Sequence, residues 1–264
     1  MIHLIARKFK EQRNSLLVYI GSLIGYTLLM MSMFPSLKNA GMEELIKSYP
    51  EQLGKFFGES GMSTFSTIEG FLSMEFLSLF FVLIIAFYLG SAAGSAIAGQ
   101  IEKRTMDFNL SQPISRTKML LSEAYVALFN LLISTLAVAL SIYLFARIFD
   151  ITIKIDGLSA FSITATLFLW ALYGIALTFS ALMRSRIGVM LLIVGFTLGS
   201  YVFLSLTRLV DKLKDLDNLS IFTLYNPEKL LGSGEIEPTH LAILGSITIV
   251  GIITAMIIFN KKDV

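Results

Sequence analysis

The stretch that decides the fold is FLSMEFLSLFFVLIIAFYLGSAAGSAIA, residues 71–98, in which Glu75 is the one charged side chain. A helix needs about 20 mostly apolar residues to cross about 30 Å of hydrocarbon. At 1.5 Å per residue this stretch makes a helix of about 42 Å. We therefore expect a transmembrane helix here that extends beyond the hydrocarbon layer.

On either side of this stretch, five further segments are long and apolar enough to cross a membrane by the same criterion. Hydrophobic residues make up 55% of the sequence and charged residues 15%, whereas soluble domains carry about 25% charged residues. The sequence predicts an all-α polytopic membrane protein whose residues 1–264 form a single transmembrane domain. The six predicted spans lie near 15–34, 71–98, 119–148, 159–182, 187–207 and 240–260.

The distribution of basic residues predicts the orientation. Six spans place both termini on one side, and 12 of the 21 Lys and Arg residues lie in short segments on that side. Cytoplasmic segments next to span ends are enriched in Lys and Arg. We therefore expect a multi-pass protein of a bacterial-type plasma membrane with both termini cytoplasmic. Residues 35–70 and 208–239 are then outer loops, and 35–70 is either a cap resting on the bundle or an outer gate.

Ionisable side chains are missing from the middle of every predicted span. A charge at the bilayer centre costs about 2.5–3.5 kcal/mol on insertion scales, so chains carry one there for a function. Their absence argues against a proton relay, an ion-coupled transporter, a voltage sensor and an intramembrane enzyme. His3 and His240 are expected to be interfacial and unpaired, and the chain has no Cys. We predict no catalytic residue and no metal site, and the net charge of +2 gives no reason to expect nucleic acid.

Glycines spaced four apart recur in the spans. Gly21 and Gly25 lie in the first predicted span, and Gly195 and Gly199 lie in the fifth. This spacing places two glycines on one helix face and lets another backbone approach closely. Two interpretations stay open: packing within one bundle, or contact with a second copy of the protein. A further pair in the second span, at positions 90 and 94, has the same two interpretations.

A polar connector, GQIEKRTMDFNLSQPISRTK at residues 99–118, separates two apolar spans. Its first half places Ile101, Thr105 and Phe108 on one helical stripe, which is typical of a short helix on the membrane surface. Pro113 either ends this helix or opens the next one, and Ser115 is expected to cap the following span. The pattern alone leaves open whether the connector docks a partner or only anchors the topology.

The connector resembles the signature E-x-x-T-x-(D/E)-x-L-x-x-P-(I/V)-S-R of ABC-2-type exporter permeases, which are membrane subunits of ATP-binding-cassette transporters. The matching residues are Glu102, Thr105, Asp107, Leu110, Pro113, Ile114, Ser115 and Arg116. Arg104 stands where many relatives have Gly. Segments 49–58, 69–76 and 224–236 are similar to the outer loops of this family, and 259–264 is similar to its C-terminal tail.

The resemblance implies an amphipathic N-terminal helix on the cytoplasmic face, in contact with membrane lipid, and residues 1–15 have a suitable pattern. It also implies that the connector is a coupling helix that docks on a separate ATP-binding cassette ATPase. The residues expected to contact this ATPase are Glu102, Lys103, Arg104, Thr105, Asp107, Phe108, Leu110 and Pro113. The sequence has no G-x-x-x-x-G-K-(S/T) phosphate loop. ATP and Mg are therefore expected on the partner, with no cofactor on this chain.

A complete transporter of this kind implies a second permease copy or a sister permease. The candidate dimer residues are Gly21, Gly25, Gly195 and Gly199. The expected function is a non-catalytic permease subunit that exports a hydrophobic or amphipathic substrate, such as a peptide, a lipid or a drug. The alternative is a non-transporting regulatory or immunity membrane protein of the same fold.

Overall fold

The computed structural model describes residues 2–39, 66–104 and 115–262, and the structural account is confined to these residues. Every regular element among them is helical, and six helices are long and apolar enough to cross a membrane. These spans are Ile2–Asn39, Ile68–Ala96, Arg116–Ile148, Ile155–Leu182, Arg186–Leu209 and Pro238–Lys261. The predicted all-α fold with six spans is confirmed.

The first span begins earlier than the sequence predicts. An interfacial helix was expected before a span starting near residue 15, but one unbroken helix runs from Ile2 to Asn39. Its first turns pack on the third span, where the rings of Phe9 and Phe129 meet edge to face with centroids 5.4 Å apart. The predicted amphipathic segment therefore continues without a break into the helix of the first span.

The second span is interrupted, although the sequence predicts one continuous helix. An α-helical turn, Ile68–Leu72, is followed by a π-helical segment, Ser73–Leu77, and the α-helix resumes at Phe80–Ala96. The Tyr26 hydroxyl donates a hydrogen bond to the Glu75 carbonyl oxygen at 3.3 Å. A π-helical turn shifts the hydrogen-bond register, so the two parts of this span present different faces to their neighbours.

Glycine contacts join the fourth and sixth spans. A Cβ atom added to Gly251 would lie 2.5 Å from the carbonyl carbon of Gly174, so the two backbones touch. The Thr178 hydroxyl donates to the Gly251 carbonyl oxygen at 3.0 Å across the same seam. This close approach accounts for the extensive burial of the fourth span at the centre of the bundle.

The connections between spans gather at two ends of the bundle. Glu102 bonds to Arg186, and Arg116 bonds to Lys262. We call this the connector end; it comprises residues 98–104, 115–118, 181–188 and 259–262. The opposite, distal end comprises residues 66–79, 148–157 and 209–240, where the Tyr225 hydroxyl donates to the Leu77 carbonyl oxygen at 3.2 Å.

The predicted loop 208–239 contains short helices at the distal end. Two 3-10 segments, Asp211–Leu219 and Ile221–Leu224, precede an α-helix, Pro227–Ser233. Asn226 caps this helix, and Gly234 ends it with a left-handed φ of 73°. Most of the other predicted outer loop, residues 35–70, lies outside the described residues, as does its interpretation as a cap or a gate.

Candidate functional site at the connector end

Glu102 ties the end of the second span to the start of the fifth. It closes the short helix Ala98–Glu102, and its Oε2 accepts a hydrogen bond from the backbone N–H of Arg186 at 2.8 Å. The first N–H groups of a helix lack partners within the helix, and a carboxylate is favourable there. The Glu102 carboxylate is therefore bonded outside the connector, at the start of another span.

Arg186 continues this link into the second span. Its Nη2 donates to the Ser91 hydroxyl at 2.6 Å. The glycines at 90 and 94 make room for this packing, because a Cβ at Gly94 would lie 2.9 Å from the Arg186 carbonyl oxygen. A Cβ at Gly90 would lie 2.7 Å from Ile193 Cγ2. The glycine pair of the second span thus serves packing within the bundle.

Arg104 has a backbone conformation that favours glycine. Its φ is 52°, in the left-handed region, just after the short helix ends at Glu102. L-residues pay about 1–2 kcal/mol for this region, and glycine is the usual residue at such a position. The side chains of Glu102, Lys103 and Arg104 are all exposed at this end of the bundle.

The remaining predicted coupling residues fall outside the described part of the chain. These are Thr105, Asp107, Phe108, Leu110 and Pro113, so the coupling helix stays a prediction. The structure resumes at Ser115, whose side chain accepts a hydrogen bond from the Lys118 backbone N–H at 3.3 Å. The predicted cap of the third span is confirmed.

Arg116 and Lys262 fasten the connector to two other spans. Arg116 Nη1 donates to the carbonyl oxygens of Phe259 and Lys262 at 3.0 and 2.7 Å, where the sixth span ends. Lys262 Nζ donates in turn to the carbonyl oxygens of Ala181 and Met183 at 2.7 and 2.8 Å, where the fourth span ends. Cations at helix C-termini are favourable because carbonyl groups are unpaired there.

The environment of Lys262 shifts the pKa of its ammonium group. Burial, and secondarily the positive charge of Arg184, lower the pKa of Lys262 below its ordinary value. The sequence showed a motif containing Arg116 and a basic tail containing Lys262, but gave no sign that the two residues meet. The hydrogen bond between Arg116 and Lys262 places the motif and the basic tail in one site.

A polar cleft of 190 Å³ opens beside these contacts, between the first, second and third spans. Lys8 and Glu123 border it and form an ion pair at 2.5 Å, in which the Glu123 side chain is 4% exposed. Deeper in the bundle, Gln12 Oε1 accepts hydrogen bonds from the Tyr88 hydroxyl and from Asn130 Nδ2, at 3.2 and 3.0 Å. The sequence pattern predicts that residues 1–15 contact membrane lipid, and it gives no sign of this network.

The glycine pairs of the first and fifth spans face away from the rest of the chain. No described atom lies within 4 Å of a Cβ added to Gly21, Gly25, Gly195 or Gly199. These four glycines therefore serve no close helix packing within the described part of the chain. Their faces are open to lipid or to another protein.

The fold defines the class of the chain, which is a polytopic helical membrane protein. At its connector end, charged side chains bond the connecting segments to the ends of the spans. The sequence also matches, over residues 5–260, the family described as "Multidrug efflux system permease Rv1217c, C-terminal domain". The chain belongs to this family of efflux permeases. No curated protein and no solved structure matches it significantly. Family membership and six membrane-spanning helices indicate membrane transport rather than catalysis.

Proposed function

We propose that the chain is the membrane subunit of an ABC-2-type exporter and that a separate ATP-binding cassette ATPase drives it. The observation that carries this proposal is that hydrogen bonds attach both ends of the connector to other spans. Glu102 binds the fifth span, and Arg116 binds the end of the sixth span, which Lys262 joins to the fourth. A partner that displaces the connector therefore acts on most of the bundle at once.

The exposed side chains of Glu102, Lys103 and Arg104 provide the polar part of the proposed docking surface. Phe108 supplies its apolar anchor, and Thr105, Asp107, Leu110 and Pro113 complete the coupling segment. ATP and Mg bind to the ATPase, and this chain needs no cofactor of its own. The connector end and both termini face the cytoplasm, where the ATPase has access to nucleotide.

The transported substrate is hydrophobic or amphipathic. The family name refers to multidrug efflux, which favours drug-like molecules over peptides and lipids as cargo. The transporter is completed by a second copy of the chain or by a sister permease. The open faces of the first and fifth spans, with Gly21, Gly25, Gly195 and Gly199, provide the contact.

Purification from native membranes in a mild detergent tests this function. We expect an ATP-binding cassette ATPase to co-purify with the tagged chain, and its hydrolysis rate to rise when the complex is reconstituted in bilayers. A chain that purifies without any such ATPase, while its membrane partners are retained, would contradict the proposal. That result would favour the regulatory or immunity protein.

A further inference from the structure

A second polar cavity lies at the distal end, far from the connector. It has a volume of 180 Å³ and lies between the fourth span, the helix Pro227–Ser233 and the start of the sixth span. Thr164 lines it from the fourth span, Glu235 and Glu237 from the segment that leads into the sixth, and His240 from the first turn of the sixth. None of these residues belongs to the site at the connector end.

The hydroxyl of Thr164 has no hydrogen-bond partner among the described residues, although Thr164 is only 4% exposed. Its neighbours on the same helix behave differently. The hydroxyls of Ser162 and Thr166 donate to the carbonyl oxygens four residues earlier, each at 2.7 Å. A buried polar group without a hydrogen bond is costly and unusual in native proteins. The Thr164 hydroxyl is therefore available to a molecule inside the cavity.

The charges around the cavity leave one carboxylate unpaired. Glu237 forms an ion pair with Lys229 at 2.7 Å, and His240 Nε2 lies 3.1 Å from Glu237 Oε2, so the expectation of an unpaired His240 is wrong. The hydrogen bond from Lys229, aided by His240, lowers the pKa of Glu237. Glu235 lines the same cavity, and its carboxylate makes no hydrogen bond or ion pair to the described residues. Lys229 and Glu237 balance each other, and Glu235 leaves the cavity with negative charge.

We propose that this cavity binds a small organic cation, an alkylammonium group. The ammonium N–H groups donate to the Glu235 carboxylate and to the Thr164 hydroxyl oxygen, and the alkyl part lies against Leu224 and Leu230, which also line the cavity. Drug-sized ligands occupy pockets of about 300–1,000 Å³. This smaller volume fits a short amine or the cationic head of a larger amphipathic molecule.

A metal ion is less suited to this donor set. No group of three or more His, Cys, Asp and Glu residues suited to a metal occurs among the described residues. Leu224 and Leu230 offer an alkyl chain an apolar contact that a bare metal ion would not use. The inference concerns the isolated chain and is independent of the ATPase, so its failure would leave the proposed function untouched.

Saturation-transfer NMR on the full chain in lipid nanodiscs tests the proposal, with n-butylammonium as the probe and 1-butanol as its uncharged counterpart. We expect n-butylammonium to bind and Glu235→Gln to weaken that binding about fivefold, the upper range for one exposed charge pair. Lys229→Met removes a competing positive charge and should strengthen binding. Asp215→Asn, an exposed charge change at the same end, is the control and should leave binding unchanged.

Thr164→Val separates a binding role from a structural one. The isosteric change removes an unpartnered hydroxyl, so the thermal unfolding midpoint should stay the same or rise while the affinity for n-butylammonium falls about fivefold. Thr166→Val, whose hydroxyl is already bonded within its helix, is the matched control and should keep the affinity. The proposal would be overturned if 1-butanol bound equally well, if n-butylammonium did not bind, or if Glu235→Gln and Thr164→Val left the titrations unchanged. The cavity would then be filled by water.

Discussion

At the connector end, individual charged side chains form hydrogen bonds with the terminal backbone groups of other spans. The Glu102 carboxylate accepts from the first N–H of the fifth span, and the Arg116 guanidinium donates to the last carbonyl groups of the sixth. Both contacts pair a charged side chain with the helix end of opposite partial charge. Because these pairings are between distant residues, the connector is bonded to the termini of helices that it does not itself continue.

The left-handed backbone at Arg104 gives a prediction at the residue scale. Arg104→Gly should raise the thermal unfolding midpoint, by the equivalent of about 1 kcal/mol, because glycine adopts a φ of 52° without the penalty of an L side chain. Lys103→Gly is the control, since Lys103 has a right-handed backbone. There glycine should be neutral or destabilising. Equal changes in both variants would mean that the backbone at Arg104 is not strained.

The buried ion pair of Lys8 and Glu123 gives a second prediction. Glu123→Leu alone should lower the unfolding free energy, by at most about 3–5 kcal/mol, because it removes the nearer carboxylate from the largely buried Lys8 ammonium and leaves Glu11 at 3.4 Å as its acidic partner. The double variant Lys8→Met with Glu123→Leu should recover most of this loss. A double-mutant cycle on thermal unfolding in nanodiscs measures the coupling. Losses that simply add would show that the two side chains do not interact.

At the scale of helices, the sequence predicts the six apolar spans because apolar length is a local property. The predicted span 159–182 and the observed helix Ile155–Leu182 end at the same residue. The sequence could not predict which helix faces meet, since Gly174 and Gly251 are far apart in the chain and touch only in the bundle. The same reason hides the hydrogen bonds between Glu102 and Arg186 and between Thr178 and Gly251.

The interruption of the second span was also beyond the sequence. The π-helical segment Ser73–Leu77 has no Gly or Pro to signal it, and the Tyr26 hydroxyl that bonds to the Glu75 carbonyl comes from the first span. Likewise, Thr164 looks like any other helix residue in the sequence. Its unpartnered hydroxyl becomes apparent only when the cavity around it is seen.

The open glycine faces lead to a prediction at the scale of helices. Gly199→Leu should weaken the proposed dimer, because a larger side chain keeps the two fifth spans apart. It should leave the fold of one chain intact, since no described atom lies within 4 Å of an added Cβ. Gly245→Leu in the sixth span has equally open surroundings and is the matched control. Single-molecule photobleaching in bilayers measures the dimer fraction, and equal fractions in the two variants would assign the Gly199 face to lipid.

For the whole molecule, the orientation in the membrane is a prediction that labelling can test. The chain has no native Cys, so Lys118→Cys at the connector end and Lys212→Cys at the distal end each introduce a single thiol. Both positions are exposed. An impermeant maleimide added to intact cells should label the Cys at 212 and should reach the Cys at 118 only after the membrane is opened. The reverse pattern would place the connector end outside the cell, away from ATP.

The central claim is that an ATPase docks on the connector, and the most direct measurement is the affinity of the co-purified ATPase for connector variants in nanodiscs. Truncating an interface aromatic commonly costs about 1–3 kcal/mol, or roughly 5- to 150-fold in affinity. An exposed charge contributes about 1 kcal/mol or less. Phe108→Ala should therefore weaken docking and ATP hydrolysis more than Lys103→Ala, with normal membrane insertion in both. If the combined variant Phe108→Ala with Glu102→Ala docks and hydrolyses ATP as the parent does, the connector only anchors the topology and the account is contradicted.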